Sequence, residues 1–389
     1  MSNHEEWVWP LSSANNDLAL VLSGGGAHAA YQVGFLRSLA DQFPDLNIPI
    51  LTGVSAGAIN ASFIANHQGT FAEAVDALSE FWLNLKIDQV FNVDAGTLSK
   101  NVLRWGFSLF SGGMSRTRSP KGLVDTTPLR KMLHKGITSS DGGIIGIREN
   151  IRQQKLKALA ITATNYETGQ TITWVQGKNI EMWERPDRHS VMTDITVEQI
   201  MASTSLPIFF PAIKVEGSWY GDGVIRQSAP LSPSLHLGAG RILAISTRYK
   251  PFVQEARSKA SRRYPSIAQI MGILMNAIFL DFLDQDALGL ERVNRVLANT
   301  SSREDLNLRL VRAFVLRPSV DLGTIAGKYE RDLPRLFRFL MRGLGTHETE
   351  NFDWLSMVMF VPSYIRNLME IGAADANARK EEMAALLAS

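Results

Sequence analysis

Near its start the chain twice repeats one pattern: a short apolar run, a turn built on glycine, then apolar residues at helical spacing. Leu18–Leu22 ends at Ser23-Gly24-Gly25-Gly26, and Ala30, Val33, Leu36 and Leu39 follow as one stripe. The apolar residues 48–51 lead into a turn bracketed by Gly53 and Gly57, and residues 58–65 continue as a small-residue helix. Later segments keep the alternation. Residues 157–164 read as a buried strand, residues 166–169 as a turn, and residues 171–175 as a β-branched return. Thr196 and Gln199 have capping-box spacing, which predicts a helix over Val197–Ser203 that stops before Pro207. Residues 213–220, broken at Glu216-Gly217, read as a hairpin that delivers Gly221-Asp222-Gly223, and residues 241–247 as another buried strand. Strands alternating with helices call for a mostly parallel sheet with helices on both faces.

Two regions break this rhythm. Residues 81–135 mix Trp82, Phe91, Trp105, Phe107 and Phe110 with Arg104, Arg116, Arg118 and Lys121, the composition of an inserted cap or lid. From about residue 250 onward the chain reads as helical and Met-rich. The expected organisation is a catalytic domain over residues 17–250 and a helical C-terminal region over 251–389. The run 104–110 has two readings, a membrane-surface contact or the apolar underside of a lid, and the second is preferred. Met271, Met275, Phe279 and Phe282 form a stripe that suits a core face, with an acyl channel as the alternative.

The 389 residues suffice for one large domain or for a core domain with an extension. A composition of 45% hydrophobic and 20% charged residues excludes the disordered and fibrous classes. A net charge of +2 without a dense Lys/Arg stripe argues against nucleic acid as a partner. Without cysteine, disulfides and thiolate metal or redox sites are excluded, which fits a reducing compartment. Residues 1–16 are polar and carry Glu5 and Glu6, unlike a signal peptide, and no stretch approaches the roughly 18 apolar residues of a spanning helix. The expectation is a cytoplasmic protein whose contact with membranes, if it has one, is peripheral.

Gly53-Val54-Ser55-Ala56-Gly57 is a G-x-S-x-G elbow with a strand before it and a helix after it. The tight turn requires small flanking residues and holds the serine exposed at a helix N-terminus, whose partial positive charge favours a developing oxyanion. The alternative is a tight βα turn with an incidental serine. Gly24-Gly25-Gly26 lets the backbone point successive N–H groups at one anion. That anion is either an acyl oxyanion or a nucleotide phosphate. The dinucleotide fingerprint needs glycine where this chain has Ala29, and a P-loop needs a Gly-Lys-Ser/Thr that is missing, so the oxyanion reading is preferred. Asp222 between Gly221 and Gly223 is an ordinary Asp-Gly turn or, beside an activated serine, the base.

In this order the three pieces resemble the patatin-like phospholipase family. Further stretches are similar to its bacterial members: residues 29–39, Asp125 to Leu129 (DTTPL), Met201 to Pro207 (MASTSLP) with Phe210-Pro211, and residues 222–239. The similarity spans residues 18–247. It implies a three-layer α/β/α sandwich, a Ser–Asp dyad of Ser55 and Asp222 without histidine, and hydrolysis of lipid acyl esters. The oxyanion hole would be Gly24, Gly25, Gly26 and Ala27, with Gly53 and Gly57 shaping the elbow. The chain departs from the family in two places. A basic residue and a glycine usually continue the loop where this chain has His28 and Ala29, and Gly or Ala usually follows Asp-Gly where it has Val224. Any anion-holding role for His28 would depend on pH.

In the implied scheme Asp222 takes the Ser55 proton, the serine attacks the acyl carbonyl, and water activated by Asp222 releases the acid. An ordinary carboxylate is a poor match for this, so the site should be dry enough to raise its basicity. No metal or cofactor is required, and the seven histidines lack the H-x-x-x-H and H-E-x-x-H spacings of zinc enzymes. Three rivals remain: a transacylase with the same nucleophile, a Ser–Asp–His triad with His236, and a catalytically impaired lipid-binding protein.

Overall fold

The computed structural model describes residues 16–92, 122–138, 143–250, 282–299, 308–335, 338 and 356–388. Among them ten strands form one sheet: β1 (Leu18–Leu22), β2 (Ile50–Val54), β3 (Ala158–Asn165), β4 (Thr171–Gly177), β5 (Glu184–Arg185), β6 (Arg188–Met192), β7 (Ile213–Val215), β8 (Ser218–Asp222), β9 (Arg241–Ile245) and β10 (Arg312–Leu316). The order β10-β9-β1-β2-β3 is parallel throughout, and every residue of β1, β2 and β3 is buried. Continuous Val/Ile/Leu/Ala runs are what a sheet covered on both faces requires. β4 returns antiparallel to β3, and β6 continues beside it.

Alternation along the strands divides the core in two. Leu18, Leu20 and Leu22 of β1 join the larger cluster, with α1 (Ala29–Gln42), α2 (Ala56–Asn66), α3 (Phe71–Leu83), α4 (Thr127–Ile137) and α5 (Val197–Ser203). Ala19 and Val21 face the other way, with Ile50, Ala158, Ala160, Ala244 and Leu283 under the short helix Ser232–His236 and α6 (Phe282–Ala298). Helix, sheet and helix are three layers, as the resemblance implied.

Several local expectations hold to the residue. Thr196 accepts from Gln199 N and Gln199 reaches back to Thr196 N at 2.8 Å, closing the capping box that starts α5. Glu216 (φ 48) and Gly217 (φ 99) make the tight turn between β7 and β8. Asp125 Oδ1 accepts from Thr127 N at 3.0 Å and opens α4, so the Asp125 to Leu129 stretch is a helix start.

The outer regions differ from the alternation-based reading. The described ends of the expected insertion contribute to the core: Trp82, Phe91, Leu129 and Leu133 all belong to the larger cluster. Arg104, Trp105, Phe107, Phe110, Arg116, Arg118 and Lys121 lie outside the described residues, as do Met271, Met275 and Phe279. Phe282 opens α6. Beyond residue 250 the chain also supplies a strand, since β10 pairs parallel with β9 from Arg312↔Arg241 to Leu316↔Ile245. β10 is a five-residue edge strand with two exposed residues at its start, so its pattern alone is weak. α7 (Pro362–Ala378) packs along α1 at backbone contact: a Cβ on Gly34 would run into the Met369 backbone, and one on Gly372 into the Tyr31 carbonyl. Tyr31 Oη donates to Asp375 Oδ2 at 2.9 Å inside that interface.

Candidate active site

β2 ends at Val54, and Ser55 is forced to φ 56, ψ −133 before α2 begins. Positive φ in a residue other than glycine is strained and persists only when its surroundings hold it. Here a Cβ on Gly53 would lie 2.7 Å from Gly57 C, and one on Gly57 would lie 2.6 Å from Ser23 O, so neither position tolerates a side chain. Ser55 N donates to Ser203 Oγ at 3.0 Å, and Ser203 Oγ donates onward to Thr162 O at 2.7 Å. Ser203, on α5, therefore anchors the elbow to β3. The sequence places it inside the Met201 to Pro207 resemblance but assigns it no task, because its partners are far away in the chain.

Strand register brings in the second residue. β3 pairs with β2 as far as Val54↔Thr162, and its next residue, Ala163, pairs with Asp222 of β8. β4 occupies the opposite edge of β3, so β8 takes up the edge that β2 vacates when it turns at Ser55. Ser55 Oγ donates to Asp222 Oδ2 at 2.6 Å, and Val224 N donates to Oδ1 at 3.0 Å. Asp222 N donates to Ser205 O at 3.0 Å, and its carbonyl accepts from Thr164 Oγ1 at 2.9 Å. The carboxylate is fully buried, and burial pushes its pKa up to about 7, against the opposing pull of the Ser55 and Val224 hydrogen bonds. A carboxylate so placed can accept a proton from the serine near neutral pH. His236 is elsewhere: it stacks on Trp183 with centroids 4.5 Å apart, and neither oxygen of Asp222 meets it. Burial and nearby Arg185, Arg188 and Arg309 hold its pKa down at about 4.

The glycine loop lies against this pair. A Cβ on Gly24 would sit 2.9 Å from Ser55 Cβ and 2.8 Å from Val224 Cγ2. Gly25 (φ 147) and Gly26 (φ 56) have conformations that L side chains avoid, and Ala27 is fully buried in the short turn Gly26–His28. Among the described residues no acceptor takes the Gly25 or Gly26 N–H. The loop is held from behind. Thr247 Oγ1 donates to Gly24 O at 2.6 Å, and Gln32 Nε2 donates to Ser23 O at 2.8 Å. Gln32 Oε1 accepts from Asn60 Nδ2 at 3.0 Å, and Asn60 Oδ1 accepts from Trp82 Nε1 at 2.7 Å. This buried relay from α3 through α2 to the loop has no signature in the sequence.

Residues 20–235, more than half of the chain, match the patatin-like phospholipase family. The chain belongs to that family. No match is found among characterised protein sequences. Among solved structures, VipD from Legionella pneumophila is similar at 14% identity, covering 86% of this chain and 68% of VipD, with a TM-score of 0.33. Human GIVD cytosolic phospholipase A2 in complex with methyl gamma-linolenyl fluorophosphonate is similar at 12% identity, covering 92% of this chain and 60% of the human protein, with a TM-score of 0.36. ExoU in its complex with SpcU, from Pseudomonas aeruginosa, is similar at 17% identity over 96% of this chain and 77% of ExoU, with a TM-score of 0.28. The chain thus spans less than two thirds of the human protein's length.

Within this patatin-like chain the two departures acquire places. His28 is buried, and its Nε2 lies 2.8 Å from Ser356 Oγ. Burial lowers its pKa to about 4 against the pull of Asp321, so the ring is neutral at ordinary pH and engaged by the C-terminal region. Val224 is buried at the side of Gly24 and supplies the N–H that holds Asp222 Oδ1. Among the described residues no three His, Asp or Glu side chains gather to hold a metal ion, and no helix is long and apolar enough to cross a membrane.

Proposed function

We propose that this protein is a serine lipid acyl hydrolase in which Ser55 is the nucleophile, Asp222 the base and the Gly24–Gly25–Gly26–Ala27 loop the oxyanion hole. One observation carries the reading: the 2.6 Å hydrogen bond from Ser55 Oγ to a fully buried carboxylate with pKa about 7. Asp222 accepts the serine proton as Oγ bonds to the acyl carbon, and the carbonyl pair moves onto oxygen. The Gly25 and Gly26 N–H groups and the N-terminus of α2 stabilise that oxyanion. As it collapses, the alcohol leaves with the proton from Asp222, giving an acyl-serine. Asp222 then takes a proton from water, the hydroxide attacks the acyl carbon, and the carboxylic acid departs as Oγ recovers its proton. The dyad is favoured over a triad with His236 by the direct bond from Ser55 Oγ to Asp222 Oδ2, with no imidazole between them, and by the stacking of His236 on Trp183.

The test is covalent labelling with a fluorophosphonate, read by peptide mass, together with turnover of phospholipids, lysophospholipids and neutral glycerides. Label is expected on Ser55, with loss of both label and turnover in Ser55→Ala. Full ester hydrolysis by Ser55→Ala would end the reading.

A further inference from the structure

The glycine loop is held at two points by the C-terminal region. His28 N donates to Gly25 O at 3.1 Å. A planar trans peptide points its N–H away from its carbonyl, so this bond also sets the direction of the Gly26 N–H. The Cα of Gly26 rests on the Met357 carbonyl, where a Cβ would find no room. The ring of His28 is buried, and its Nε2 lies 2.8 Å from the Oγ of Ser356, the residue before Met357. Two consecutive residues thus hold the loop, one against its main chain and one through His28. Both are firmly set. Ser356 has no exposed surface, and Met357, Val358 and Met359 belong to the larger core cluster. Pro362 then opens α7, which packs along α1, and α1 begins directly after His28. The His28 ring also meets Tyr364 of α7 edge-on, with centroids 6.5 Å apart. Ser356 and Met357 lie beyond the residues 20–235 that match the family, so this hold is no part of that match.

We propose that His28 and Ser356 are positioning residues for the oxyanion loop, their hydrogen bond fixing the Gly25–Gly26 peptide so that the Gly26 N–H meets the oxyanion formed at Ser55. The inference rests on Ser55 being the nucleophile and the loop being its oxyanion hole. The stabilisation a donor gives depends on where it stands, because a hydrogen bond weakens steeply as its angle drifts. Gly25 and Gly26 are poorly suited to keep a peptide in place by themselves, since a glycine backbone is the most permissive of all. The anchor therefore comes from outside, at the residue that closes the turn Gly26–His28. Removing the His28–Ser356 bond should leave Ser55 and Asp222 in place but let the peptide tilt. The loss then falls on the transition state and not on the binding of the ester.

The experiment measures kcat and KM for p-nitrophenyl butyrate and for its thiono counterpart, in which sulfur replaces the carbonyl oxygen. The proteins compared are the wild type, Ser356→Ala, His28→Leu and His28→Gln. Sulfur is a weak hydrogen-bond acceptor, so the thiono ester draws little on the N–H array. Ser356→Ala and His28→Leu should each lose about tenfold in kcat on the oxo ester, part of the roughly hundredfold that an oxyanion donor supplies, with KM changing much less. The thiono ester should lose far less, so the oxo-to-thiono ratio falls. His28→Gln, whose amide can reach Ser356, should restore most of that ratio. A smaller folded fraction would lower both rates in proportion and leave the ratio where it was. An unchanged ratio in either Ser356→Ala or His28→Leu, with Ser55 still labelled by fluorophosphonate, would overturn the positioning role and leave the nucleophile standing. Absence of Ser55 labelling in the wild type would overturn both.

Discussion

A carboxylate with no exposed surface is costly to ionise, and Asp222 bears that cost beside the hydroxyl it would deprotonate. Burial moves it from 3.8 to about 7, so kcat/KM should fall tenfold per pH unit below that value, with the acidic limb of the profile reporting Asp222. Asp222→Asn keeps the shape and removes the proton acceptor, so turnover should collapse. His236→Ala should stay within a few-fold of wild type; a folded but inactive His236→Ala would sink the dyad. The same shift has a consequence for stability. Because the folded-state pKa is raised, the contribution of Asp222 is fully present below the unfolded value of 3.8 and is lost as pH rises through about 7. Asparagine is neutral throughout. Asp222→Asn should therefore melt higher than wild type at pH 8, by an amount on the order of 4 kcal/mol at most, and the gap should close towards pH 4. A difference in melting temperature that does not change with pH would show that ionisation of Asp222 is not the cause.

At the scale of elements, what was legible in the sequence was what is local. The elbow, the glycine loop, the capping box of α5 and the β7–β8 turn each occupy a few consecutive residues whose backbone demands select glycine, serine or an Asx/Thr cap. What was hidden depends on residues distant in the chain. The clamp Ser55–Ser203–Thr162 and the relay Trp82–Asn60–Gln32–Ser23 join elements that only the fold brings together. Trp82, at the near end of the aromatic and basic stretch 81–135 that suggested a lid, is 1% exposed and donates into that relay. Two outcomes follow. Gly25→Val would press a branched side chain against Thr247 and disturb the N–H array, so turnover should fall about a hundredfold, the usual loss for an oxyanion donor, with KM changing much less. A variant with normal kcat would remove the loop from the oxyanion role. Asn60→Ala would strip Trp82 Nε1 of its acceptor and Gln32 Oε1 of its donor, a cost of about 1–3 kcal/mol for each buried group left unpaired, measurable by urea unfolding.

For the whole molecule, the question is whether residues 17–250 can stand alone. The change of sequence rhythm near residue 250 suggested a boundary there, and the family match ends at residue 235, while β10 and α7, beyond both, pack on β9 and α1. β9 lies between β1 and β10, so a chain cut at residue 250 would expose the edge of β9 along all five residues from Arg241 to Ile245. It would also uncover the face of α1 on which α7 packs, where Tyr31 is fully buried and its hydroxyl is held by Asp375. His28 would lose Ser356, and Gly26, which lies against the Met357 backbone, would lose the surface that backs the loop. Gly26, Gly34 and Gly372 make main-chain fits, each against a backbone carbonyl across the seam, and no side-chain rearrangement can replace them. The fragment 17–250 is therefore expected to aggregate or to unfold without a cooperative transition, and to leave Ser55 unlabelled by fluorophosphonate. Gly34→Val in the full chain tests the same seam without a cut. Its branched side chain would strike the Met369 backbone, so a loss of stability of several kcal/mol should appear in urea melts. If the fragment instead unfolded cooperatively with an m-value proper to its size and its serine reacted at the full-length rate, the C-terminal region would be an accessory, and the catalytic unit would close on itself at β9.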